Sequence, residues 1–311
     1  MCHCDTVNKF LQKLNEQEIE QLKTKMIQCI IKKKILRKYL LHGNYLVAVD
    51  GTTVHSFDNE PFPNCMKMEH KGGKTTWLVN VVEAKIICSN GFCISLATQW
   101  QENDIDYDKQ DCELKAFVRL AEKIKKQFPR LPICIVADGL YPNDTVFNVC
   151  NNYGWKFIIT LKEGNLKSVQ KEIDNCLFEK KFDAVRTQEW KTKNKCITDE
   201  ILFVNDIVYK KHTIHYISCL ETVVQHTTAT QKENNFAHVT DIEITKENAA
   251  QISQFGRWRW KIENEGFNVQ KNNDYNLSHK YSRSCFVAMK NYYQCLQIAH
   301  IINQLTEKSC N

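Results

Sequence analysis

The stretch Leu131 to Thr160, "LPICIVADGLYPNDTVFNVCNNYGWKFIIT", changes character twice. Its opening, "LPICIVADGL", is an almost unbroken apolar run ending at Asp138, the pattern of a strand buried on both faces. After Pro142, Asn143 or Asp144 can cap a helix "TVFNVCNNYG", which Gly154 terminates. "WKFIITLKEGN" is then another buried strand. Strand, helix and strand in close succession predict an α/β domain.

Upstream, "NYLVAVDGTTVHSF" reads as an apolar strand ending in Asp50, and "TTWLVNVVEAKIICSNGFCISLATQWQE" as two long strands joined by a two-residue turn at Asn90 and Gly91. "KQDCELKAFVRLAEKIKKQF" carries Leu114, Phe117, Val118, Ala121, Ile124 and Phe128 along one side of a helix that Pro129 stops. From Asn8 to His42, Phe10, Leu11, Leu14, Ile19, Leu22, Met26 and Ile30 recur at helical spacing, predicting two or three helices. The element order is three strands, helix, strand, helix, strand. That order predicts a ribonuclease-H-like plan, a mixed sheet with helices on both faces. The plan sets the ends of the first and fourth strands, and with them Asp50 and Asp138, side by side. Each acid alone reads as a turn or capping residue; together they point to a shared metal site.

Downstream, Asn165 to Thr240 reads as short strands with polar connections, a β-rich insertion between the fifth strand and a returning helix. That helix is "KENAAQISQFGRWRWKIENEGFNVQK"; a last amphipathic one covers Ser284 to Thr306. The expected organisation is a helical N-terminal segment (1–42), a catalytic domain (43–163 and 241–311) and the β-rich insertion (164–240).

Composition is ordinary for a globular chain of 311 residues, with 43% hydrophobic residues and a net charge of +6. No apolar run is long enough for a membrane span, and "MCHCDTVNKF" lacks a signal-peptide core, so a soluble cytoplasmic protein with no membrane partner is expected. The fifteen cysteines form no C-x-x-C pair, and most read as buried or half-buried thiols; Cys2, His3 and Cys4 form a possible soft-metal cluster. Charge clusters in two places. Lys32, Lys33, Lys34, Arg37 and Lys38 form one run without an acid, and Arg257, Arg259 and Lys261 form another. Both permit nucleic acid as a partner, and both also read as solvated helix faces.

The second run belongs to "RWRWKIENEGFNVQK", in which Glu263 and Glu265 are two apart and so point to opposite sides of a helix. Three acids brought together tolerate one another when a cation lies between them, and oxygen ligands without histidine select magnesium or manganese. Two such ions about 4 Å apart suit phosphodiester chemistry. "VAVDGTT", "VADGLYPND" and "RWRWKIENEGFNVQK" together resemble a DDE transposase of the bacterial insertion-sequence class, IS-four-like, over Asn44 to Tyr281. The resemblance implies metal-dependent cleavage of transposon ends and strand transfer into target DNA. It makes Asp50, Asp138 and Glu263 the catalytic and metal-binding acids for magnesium or manganese, with two ions, and implies a homodimer on DNA, associated with the nucleoid.

The class has a signature, Tyr-x2-Arg-x3-Glu-x6-Lys, which puts Arg259 at its Arg and Glu263 at its Glu. At about 100° per residue, Arg259, Glu263 and Gln270 share one face, with Glu265 nearly opposite as a supporting acid. Gly256 stands where the signature has Tyr, and Gln270 where it has Lys, with Lys271 one place later and about 80° off that face. Arg257, Arg259 and Lys271 are the candidate DNA contacts, and Trp190 in the insertion is the candidate for stacking on a base. Trp258 and Trp260 read either as packing or as stacking residues. "KGGKTT" at Lys71 to Thr76 lacks the first glycine of a phosphate-binding loop. The alternatives are a metal-dependent nuclease or resolvase without strand transfer, and a catalytically degenerate DNA-binding relic.

Overall fold

The computed structural model describes residues 3–104, 108–192, 194–225, 227–228 and 230–309. Cys2, of the N-terminal Cys-His-Cys cluster, lies outside the described residues. The chain is a mixed α/β fold with a helical N-terminal segment, and its contacts divide it into two units, Met1–Leu131 with Lys261–Asn311, and Pro132–Trp260.

The first unit begins with α1 (Cys4–Lys13) and α2 (Glu16–Lys32), then a 3-10 turn at Arg37–Tyr39. Asn15 caps α2 by accepting from the Gln17 N–H at 2.9 Å. Of the apolar residues read at helical spacing, Leu11, Ile19 and Ile30 are buried, whereas Phe10 and Leu22 face outward. Four strands follow: β1 (Tyr45–Phe57), β2 (Met66–Glu69), β3 (Thr75–Ile87) and β4 (Cys93–Gln101). β3 pairs antiparallel with β1 along one edge and with β2 and β4 along the other. The β3–β4 turn differs from the two-residue reading. The Gly91 N–H bonds Cys88 O and the Cys88 N–H bonds Phe92 O, so Ser89 and Asn90 form the corner and Gly91 takes the left-handed position at φ 85°. α3 (Glu113–Gln127) buries Phe117, Leu120 and Ile124, each contributing about 1.5–3 kcal/mol.

Below β3 and β4 lies a buried polar network. Lys23 of α2 donates to Ser95 Oγ at 2.9 Å and Thr98 Oγ1 at 3.0 Å, and both hydroxyls bond the buried Glu83. Lys85, also buried, donates to Gln297 at 3.1 Å and Gln270 at 3.3 Å. Burial lowers the pKa of both lysines, and the charge of Glu83 opposes that shift.

The second unit opens with β5 (Ile133–Ala137), α4 (Asp144–Tyr153) and β6 (Lys156–Thr160), the strand, helix and strand read from the sequence. β5 and β6 are parallel. Asn143 caps α4 through Val146 N–H at 3.1 Å, and Gly154 ends it at φ 68°. The segment read as β-rich starts instead with a helix, α5 (Lys167–Phe178), before four long strands: β7 (Asp183–Thr192), β8 (Lys195–Tyr209), β9 (His212–Gln225) and β10 (Thr230–Thr240). β10 joins β6 antiparallel, and β9, β8 and β7 follow in order. α6 (Ala249–Arg257) packs on this sheet.

After α6 the helix changes pitch three times. A 3-10 turn covers Trp258–Trp260; back in the first unit come a π-helix at Ile262–Asn268, α7 (Val269–Asn272) and α8 (Phe286–Ser309). No helix among the described residues is long and apolar enough to cross a membrane.

Two buried histidines set an acid limit on stability. Burial, with Arg257 nearby, lowers His238 to about 4, and burial, with Lys85 nearby, lowers His300 to about 3. Unfolded, both bind protons near pH 6.5, so the unfolded chain holds more protons over the interval between and stability falls as pH falls. Each histidine then costs about 1.4 kcal/mol per pH unit from pH 6.5 towards 4. Melting temperature measured from pH 7.5 to 4.5 should drop steadily below pH 6.5, and His300→Gln should flatten the drop.

Candidate active site

Asp50 is in the middle of β1, opposite Glu83, and not at a strand end as the sequence suggested. The strand runs on through Gly51, where the neighbouring helix fills the space a side chain would need: a Cβ there would lie 2.6 Å from Glu113 Oε2. Glu113, in the first turn of α3, is therefore an acid packed against Gly51, the residue after Asp50, and one that the sequence reading missed.

Asp138 follows β5 directly, as expected. Its Oδ1 accepts from the Leu140 N–H at 2.8 Å and its Oδ2 from Lys162 Nζ at 3.0 Å. The glycine after this acid has the same use as the one after Asp50. A Cβ at Gly139 would come 2.5 Å from Lys162 Cδ, so Gly139 lets the lysine lie across the loop to reach the carboxylate. The repeated Asp-Gly pair was the available signal for both neighbours.

Glu263 lies half-buried in the π-helix, which packs against β1, β3 and β4. Lys271 Nζ lies 3.4 Å from Thr52 Oγ1, two residues beyond Asp50. Asp50, Glu263 and Lys271 are thus carried on packed elements of the first unit. Glu265 has a different environment: Lys261, 8% exposed, donates to its Oε1 at 2.7 Å. Glu265 also borders a cavity of about 620 Å³ with Gly91, Asn273 and Lys308.

The face predicted to hold Arg259, Glu263 and Gln270 assumes a uniform α-helix, and the observed pitch changes replace it. Gln270 is fully buried and bonds Gln297 and His300. It belongs to the core, not to a DNA-facing surface.

No family model matches the chain, and no curated protein matches it.

Of the other predicted contacts, Arg257 is held by Asp199 at 2.9 Å and Glu221 at 2.8 Å, with its guanidinium over the Phe236 ring. Arg259 is half-buried in the 3-10 turn. Trp190 is 56% exposed on β7. Trp258 packs edge-on against Phe255 at 4.6 Å, whereas Trp260 is exposed. Gly256, at the signature's Tyr position, has no room for a side chain, since a Cβ would lie 2.6 Å from the buried His238 ring. Gly256→Ala should therefore destabilise the chain by about 1–3 kcal/mol, read as a lower denaturant midpoint.

Among the described residues, the group of three potential metal ligands with mutually close donor atoms is the exposed set His3, Cys4 and Asp5. It includes none of Asp50, Asp138 and Glu263, and its sulfur and imidazole donors suit a soft metal instead of magnesium.

Proposed function

We propose that this protein is a DNA transposase of the DDE type, with a ribonuclease-H-like catalytic core. The observation that carries the reading is the packing of the Glu263 π-helix on the Asp50 strand, with Lys271 reaching Thr52. A π-helix, bonded i to i+5, turns through about 82° per residue against about 100° in an α-helix. From Glu263 to Lys271 the mixed path turns through about 710°, close to two full turns, so the two residues return to one side. A uniform α-helix would leave Lys271 about 80° away. The widened turn absorbs the one residue by which this chain departs from the signature, and Lys271 serves in place of the residue at 270.

Asp50, Asp138 and Glu263 offer carboxylate oxygens only, the donor type that a hard cation takes, and Asp138 already pairs with the Lys162 ammonium. These three acids would hold magnesium or manganese, which supplies activation of a water or 3′-hydroxyl and stabilisation of the leaving oxygen. Lys271 and Arg259 would contact DNA phosphate, and Trp190 would stack on an unpaired base. Arg257, held by two acids, would position its segment and contact DNA only at the margin. Two protomers would pair two DNA ends, in the cytoplasm at the nucleoid.

The test is divalent-dependent nicking and joining of labelled DNA carrying the ends of the surrounding element. Joining that requires magnesium or manganese supports the transposase. Nicking without joining moves the assignment to a nuclease, and binding without either moves it to a DNA-binding relic.

A further inference from the structure

Most cations for which the first unit shows an ion pair answer a specific acid: Lys67 meets Glu69, Lys74 meets Asp58, Arg119 meets Asp111 and Lys123 meets Glu20. The basic run at the end of α2 does not. Among the described residues, Lys32, Lys33, Lys34 and Arg37 are exposed and form no ion pair. Leu36 between them is buried and anchors the turn, and Lys34 has φ 59°, so the chain bends where the charges are densest.

The fold adds cations from elsewhere. Gln28 Nε2 donates to Gln127 O at 3.0 Å, which fastens the last turn of α3 to α2. Lys25 and Lys32 stand three before and four after Gln28, on its side of α2. Lys126 precedes Gln127 and Arg130 stands three residues beyond it, and both are exposed. A helix C-terminus accounts for a cation in its last turn, but not for a patch drawn from two helix ends and the turn beyond one of them.

We propose that this patch, on Lys25, Lys32, Lys33, Lys34, Lys126 and Arg130, binds the phosphate backbone of duplex DNA without regard to sequence. It is a contact separate from the Asp50 and Glu263 elements. The occupant follows from charge complementarity: a duplex presents phosphates in regular rows, and exposed cations without acid partners release its counterions on binding. The patch has few apolar side chains to insert into a lipid surface, with Ile35 the exposed exception. The inference rests on the DNA reading above, and its test does not require cleavage.

Binding of a labelled random-sequence 30-base-pair duplex would be measured by anisotropy in EDTA from 50 to 200 mM salt. The full chain is compared with a Lys32→Gln, Lys33→Gln, Lys34→Gln variant, and with a charge-matched control, Lys181→Gln, Lys191→Gln, Lys246→Gln, whose lysines are ion-paired. The patch variant should lose about 2.7 from the slope of log K against log salt, so its affinity falls about 40-fold less across that range. The control should keep the wild-type slope, and melting temperatures should agree. A slope unchanged in the patch variant overturns the inference, as does an equal loss in the control, which would indicate net charge alone. Binding to phosphatidylserine vesicles with none to DNA also overturns it. Patch-dependent DNA binding by a chain that never cuts DNA keeps this inference and removes the transposase; cutting with an unchanged slope does the reverse.

Discussion

Glu263→Gln is expected to reduce divalent-dependent DNA cutting by about 10³-fold or more while leaving the melting temperature nearly unchanged. If Glu263 holds an ion as proposed, its loss would remove several kcal/mol of transition-state stabilisation, and each 1.36 kcal/mol is tenfold in rate. Glu263 is half-buried at the surface of its π-helix, so an isosteric amide leaves the packing intact. Glu265→Gln should do the opposite. Its carboxylate is the partner of Lys261, which is nearly buried, and removing one member leaves an ammonium poorly compensated, at about 1–3 kcal/mol. Cutting should persist and the melting temperature fall. Measuring both quantities on both variants separates chemistry from architecture; equal loss of cutting in the two would remove the assignment of Glu263 as the third acid.

The second large effect is expected from Lys85→Met. The replacement has similar length and no charge, yet Gln270 and Gln297 lose a shared donor and the buried Glu83 loses one of its two nearby cations. A destabilisation of about 3 kcal/mol follows, seen as a lower denaturant midpoint at constant slope. Lys85 also threads past the π-helix. A Cβ at Gly266 would lie 3.3 Å from Lys85 Cδ, and the Lys85 ammonium lies 5.0 Å from the Phe267 ring. The helix that bears Glu263 should loosen, and cutting should fall with stability. Full stability in Lys85→Met would mean that shape alone supports this region.

Much of the fold was legible because apolar spacing stated it directly. β1, β3 and β4, the helix α3, and the succession β5, α4 and β6 follow from residues whose burial matches their period. α5 was missed because its buried face rests on Val169 and Ile173 alone, too few to show a period in a polar stretch. Asp50 was placed at a strand end because the apolar run stops there; the strand runs on through Gly51, and the reason for that glycine, the Glu113 carboxylate lying against it, is a contact between residues far apart in the chain. The π-helix was invisible for another reason. Any argument from 100° per residue assumes the pitch it is meant to test.

The first unit is made of two stretches of chain, and the second lies wholly between them. Lys85 waits for a partner 212 residues downstream, and Cys93 N–H for Gln304, 211 residues on. During synthesis, which proceeds at about 5–20 residues per second, Pro132–Trp260 can complete its own contacts while β1–β4 still lack their α8 neighbours. The stretch made first can thus be the last to gain all its neighbours. Glu263 lies beyond the whole of that stretch, so its helix can pack on the Asp50 strand only after Pro132–Trp260 has been made, and until then that face of β1, β3 and β4 is without its cover.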